Sequence, residues 1–91
     1  TQGYIVDVIT DAARDFIAQD PQPFFAMLTI NTPHSPFQVP DAYFDKYKMA
    51  GLSDKDATIY GMVENIDRNV ARLLASLTDS QKTNTLVIFY F

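Results

Sequence analysis

Ile5, Val8, Ile9, Ala12, Ala13, Phe16 and Ile17 recur at three- and four-residue intervals, which predicts an amphipathic helix over about residues 5–19, ending before Pro21. Asp7, Asp11 and Asp15 fall on the other side, four apart, and read as a solvated face near the positive end of the helix dipole. Pro21-Gln22-Pro23 is a short, stiff connection into Phe24–Ile30, an apolar run with no alternation. That pattern suits a strand buried on both faces of a parallel sheet.

A polar, proline-rich loop over residues 31–40 follows, after which Asp41 is placed to cap a short helix through Ala42–Tyr47, with Gly51 where a left-handed residue would close it. Ser53-Asp54-Lys55-Asp56 resembles a capping box and opens the best-patterned element, with Ile59, Val63, Ile66, Val70, Leu73, Leu74 and Leu77 in one stripe. Glu64, Arg68, Arg72 and Ser76 fall elsewhere, with Arg68 and Arg72 placed to pair with Glu64 and with each other's neighbours at i, i+4. Gly61 inside that helix costs about 1 kcal/mol relative to alanine, so it is expected to mark the close approach of another backbone. Residues 79–84 read as a polar loop and Thr85–Phe91 as a second buried strand. Strand, helical crossover and strand together predict an α/β fold, a right-handed βαβ unit whose sheet is covered by helices.

The composition is globular: 47% hydrophobic and 20% charged in 91 residues, enough for one domain at most. The net charge is −4 and the basic residues are scattered singly, which gives no footprint for a nucleic-acid backbone. No apolar run approaches the roughly 20 residues that span a bilayer, so no membrane partner is expected. Zero cysteines exclude disulfides and thiolate metal sites within these residues. A chain that starts at Thr1 and stops inside the apolar run Leu86–Phe91 is expected to be an internal piece of a larger one, residues 1–91 of a catalytic domain whose other parts pair with its strand edges.

The one histidine, His34, lies in Asn31-Thr32-Pro33-His34-Ser35-Pro36-Phe37-Gln38-Val39-Pro40. Pro33 and Pro36 each fix φ near −65° and restrict the residue before them, so the imidazole is held in a loop with little entropy left to lose. A rigid loop with one titratable base, leaving the carboxyl end of a strand, is where a ligand site in an open α/β sheet is expected. A lone loop histidine also has an ordinary reading, as a solvated side chain or a cap of a backbone group. Beyond it no template of catalysis is satisfied. There is no glycine-rich phosphate loop, no metal-spaced cluster and no Ser-His-Asp set, and Glu64, Asp67, Asp54, Asp56 and the tyrosines Tyr43, Tyr47 and Tyr60 read as helix-face, capping or core residues.

Taken in order, Gly3-Tyr4 to Asp15-Phe16-Ile17, Pro23-Phe24-Phe25, the Asn31–Pro40 loop, Tyr60-Gly61-Met62-Val63-Glu64-Asn65-Ile66-Asp67 with Val70–Leu74, and Asn84–Phe89 resemble the middle of a type I sulfatase, of the arylsulfatase family in the alkaline-phosphatase-like superfamily. The resemblance implies hydrolysis of sulfate esters by a formylglycine nucleophile beside a calcium ion, in a periplasmic, secreted or lysosomal setting. His34 alone maps to a functional position of that family, as catalytic and sulfate-contacting residue; the segments implied to carry nucleophile and metal ligands, Cys/Ser-x-Pro-x-Arg and Asp-Asn-Gly, have no counterpart here, and Tyr90-Phe91 stands where the family pattern after Phe89 differs. The chain is therefore expected to contribute a substrate-contacting loop and to be inactive alone. The other readings are part of a phosphodiesterase or phosphonate monoester hydrolase of the same superfamily, and a non-catalytic α/β interaction module that pairs through exposed strand edges.

Overall fold

Helix formation dominates wherever the 3.6-residue period and a stop signal coincide. The computed structural model describes residues 3–20 and 23–90, and its elements are α1 (Ile5–Ala18), α2 (Asp41–Met49), α3 (Asp54–Ala75) and α4 (Asp79–Thr83). α1 ends in a left-handed residue, Asp20 at φ 54°, whose N–H donates to the Ile17 carbonyl at 2.9 Å. α2 begins one residue earlier than predicted, with Asp41 inside it and Pro40 at the cap position. Its end is a paired closure: Gly51 at φ 98° donates to Lys48 O and Leu52 to Tyr47 O, so two orphan carbonyls of the last turn are satisfied. Ser53 caps α3, its Oγ accepting from Asp56 N at 3.2 Å.

The α/β expectation is overturned. Among the described residues there is no strand and no sheet, and Phe24–Ile30 and Thr85–Tyr90 form neither helix nor strand. A strand exists only in a ladder, and these two segments form no ladder among the described residues; Phe25 is 85% exposed, Leu86 84% and Ile88 76%. The βαβ crossover that depended on their pairing is absent with them. Apolar runs of this length report a tendency to be buried, and periodicity cannot say in what. The long axis of the molecule is 46 Å against 27 and 21 Å, and its radius of gyration of 15.1 Å exceeds the roughly 12 Å of a compact chain of this length. Pro21 and Gln22 of the expected connection, and Phe91 of the second expected strand, lie outside the described residues.

The core is small and is built on α3. Val6 and Ile17 of α1 and Ala57 and Met62 of α3 are buried, together with the polar Thr10, Asn65 and Asn69. Gly61 performs the predicted role: a Cβ placed there would meet Tyr43 Cβ at 3.0 Å, Val39 Cγ1 at 3.2 Å and the Tyr43 backbone carbon at 3.3 Å, so α2 rests against bare α3 backbone. The faces are rotated from expectation. Of the acidic side of α1 read as solvated, Asp11 and Asp15 are exposed, but Asp7 is turned to α3, where its Oδ1 accepts from Asn65 Nδ2 at 2.9 Å and Asn69 Nδ2 at 2.8 Å. Arg72 extends this seam, donating to Asp11 at 2.9 Å, while Glu64 pairs with Lys46 of α2 at 2.9 Å rather than with an arginine. Meanwhile Ile5, Phe16, Val63 and Leu74 of the predicted stripes remain exposed. α4, absent from the sequence reading, starts at a capping box in which Thr78 Oγ1 accepts from Gln81 N and Gln81 Oε1 accepts from Thr78 N.

Candidate functional site

The loop over residues 31–40 leaves the uncovered segment after α1 and enters α2. Its incoming arm touches α1 through Phe24, whose ring meets Phe16 edge-on at 6.1 Å and 83°. The turn itself is closed by His34 N donating to Asn31 O at 3.3 Å, and the Thr32–Pro33 and Ser35–Pro36 peptide bonds are both cis. The outgoing arm is held three ways. The Tyr4 hydroxyl donates to Gln38 O at 2.7 Å, Val39 fills the groove over Gly61, and the Lys55 ammonium sits 6.0 Å from the centre of the Phe37 ring.

His34 stands at the tip of this loop and is exposed, with no hydrogen-bond or ion-pair partner for its imidazole among the described residues. The carboxyl edge of a sheet, which the sequence reading placed beside it, is absent among the described residues, which form no sheet. A polar concavity of about 310 Å³ lies elsewhere and is lined by Asp7, Asp11, Tyr43, Arg68, Asn69 and Arg72 of α1, α2 and α3. Its charges are spent on one another: Arg72 on Asp11 and Asn69, and Arg68 stacked 5.6 Å from the Tyr43 ring centre.

Two electrostatic features surround the loop. Burial, followed by the Asp7 carboxylate and Tyr43, pushes the Tyr4 phenol above its ordinary 10.0, so it stays a donor through the neutral range. On the far side of α2, the Lys46 hydrogen bond lowers Glu64 below the ordinary 4.5, and the same contact raises Lys46 above 10.5. Neither group reaches His34. The Tyr4 tether and the Asp7 seam both escaped sequence reasoning, since each joins residues 34 or more positions apart.

The Sulfatase family model matches residues 1–90. The chain belongs to the sulfatase family. It is thereby a member of the alkaline-phosphatase-like superfamily of hydrolases, as the resemblance implied. No solved structure matches the chain.

The calcium ion and formylglycine associated with that resemblance do not fit the residues of this sulfatase chain. Among the described residues no three of His, Cys, Asp and Glu come together as a cation site, and the carboxylates of Asp7 and Asp11 already accept from Asn65, Asn69 and Arg72. There is no cysteine to convert, and none of the serines stands in a Ser-x-Pro-x-Arg sequence. No step through either group is derived from these residues.

Proposed function

We propose that these residues are a section of a sulfatase catalytic domain acting on sulfuric esters, in which His34 contacts the sulfate group and which has no activity by itself. What carries the reading is the coincidence of a Sulfatase match over residues 1–90 with one histidine, exposed at the tip of a proline-flanked loop whose outgoing arm is tied to two helices. An imidazolium at that position donates to an oxygen on which negative charge collects as the ester bond breaks, and so favours the transition state over the bound ester. On this reading the nucleophile and the metal ligands come from other parts of the parent protein. The same parts cover the exposed apolar runs around Phe25 and Ile88, whose exposure in water is costly by about 25 cal/mol for each Å² of apolar surface.

The test is a comparison of substrates and chain lengths. The intact parent protein is expected to hydrolyse 4-nitrophenyl sulfate faster than bis(4-nitrophenyl) phosphate, and residues 1–91 alone to hydrolyse neither. A faster phosphodiester reaction moves the assignment to the phosphorus-directed relatives, and turnover of the aryl sulfate by residues 1–91 alone refutes the division of labour.

A further inference from the structure

The Tyr4 hydroxyl joins the first residue before α1 to the carbonyl of Gln38, four positions beyond His34 and 34 from itself. Its acceptor is a backbone oxygen, so the bond holds the loop's path and not a replaceable side chain. Tyr4 is in turn fixed to the platform: α1 begins at the next residue, and one turn on, Asp7 is held by the buried amides of Asn65 and Asn69 in α3. Val39, adjacent to the accepting carbonyl, sits over Gly61 on the same helix α3. The outgoing arm of the loop is thus fastened to α1 and α3 at two consecutive residues, and the histidine is a short, proline-stiffened step from that clamp.

We propose that Tyr4 is a positioning residue for His34, its hydroxyl-to-Gln38 hydrogen bond fixing where the loop presents the imidazole. This rests on the sulfate-contacting role of His34 proposed above and adds to it the residue that sets the ring's position. A group that must meet a developing charge is sensitive to placement, and a displacement of about 1 Å can cost on the order of 10²-fold in rate. Tyr4 does not touch the ester. Its effect is transmitted through the loop backbone alone.

The experiment is a double-mutant cycle in the intact sulfatase, with kcat and KM for 4-nitrophenyl sulfate and the melting temperature measured for wild type, Tyr4→Phe, His34→Ala and the double variant. Tyr4→Phe, which removes only the hydroxyl, is expected to lower kcat by about tenfold with KM changed less than about twofold, the size of one lost hydrogen bond. In the His34→Ala background the same change is expected to cost less than about twofold, because the ring it positions is gone. An equal loss in both backgrounds, or a loss that follows the melting temperature, makes Tyr4 merely structural and overturns the proposal. An unchanged kcat in Tyr4→Phe with a low one in His34→Ala removes the tether and leaves the His34 assignment standing. An unchanged kcat in His34→Ala removes both. Val39→Ala, which loosens the second fastening without touching Tyr4, is expected to show the same selective loss in the presence of His34 and provides the readout if Tyr4→Phe is poorly folded.

Discussion

Asp7 and Asn69, 62 residues apart, meet at 2.8 Å between α1 and α3, and the same carboxylate oxygen accepts from Asn65 at 2.9 Å. Both asparagines are buried, and Asn69 also donates to the Asn65 backbone and side-chain oxygens. A single acidic side chain therefore satisfies two buried donors and fixes how α1 lies on α3. Removing it leaves amides out of water without their charged acceptor.

Asp7→Ala is accordingly expected to destabilise the packing of α1 on α3 by about 1–3 kcal/mol, the cost of leaving the buried Asn65 amide without this acceptor, since Asn69 keeps its bonds to Asn65. Urea unfolding followed by circular dichroism measures it. A loss below about 0.5 kcal/mol means that water replaces the carboxylate and the seam does not hold the helices.

Gly61 opposes two effects of known size. Alanine gains about 1 kcal/mol of helix propensity, but its methyl group would stand 3.0 Å from Tyr43 Cβ and 3.3 Å from the Tyr43 backbone carbon, neither of which moves without α2. Overpacking of this kind costs about 1–3 kcal/mol, so Gly61→Ala is expected to be destabilising by about 1 kcal/mol and Gly61→Val by more. Increased stability of the alanine variant in the same unfolding assay contradicts the close approach.

The Lys46–Glu64 pair gives the α2–α3 contact a pH dependence with two limbs. Glu64 is lowered, chiefly by the Lys46 hydrogen bond, so its contribution is present above the ordinary carboxylate value of 4.5 and is lost as pH falls through the depressed folded value. Lys46 is raised, chiefly by the Glu64 hydrogen bond, so its contribution is complete below 10.5 and is lost as pH rises through the elevated folded value. The contact is therefore expected to be level between these limits. Both side chains are partly solvated, which keeps the effect small and sensitive to salt. Glu64→Gln is expected to flatten both limbs in a plot of unfolding midpoint against pH, and an unaltered profile excludes the pair as their source.

The sequence made the helices and their ends legible because those are local. Ser53 and Gly51 act where they stand, and Gly61 betrays its neighbour by its missing side chain. The orientation of the helices was not legible. The apolar stripe of α1 names its greasiest face, whereas α3 offers Asn65, Asn69 and Arg72, which match the acidic face instead, and such complementarity across 58 or more residues leaves no periodic trace. Thr78-Asp79-Ser80-Gln81 carries a capping-box pattern like the one at Ser53, but five residues of helix are too few for a hydrophobic period to announce α4. Phe24–Ile30 and Thr85–Tyr90 failed as strands for the converse reason: their apolar side chains speak for burial, and pairing is a relation that one segment cannot encode. His34 is singled out only by the company of its motif, while the Tyr4–Gln38 bond that fastens its loop has no signature, since any carbonyl can be its acceptor.

The most direct measurement is the turnover of 4-nitrophenyl sulfate by the intact sulfatase carrying His34→Ala, taken beside its melting temperature. Because His34 is exposed, its loss is expected to reduce kcat by about 10²-fold or more while the melting temperature stays within about 1–2 °C of wild type. Wild-type turnover in that variant would show that the histidine at the tip of the loop does not contact the sulfate.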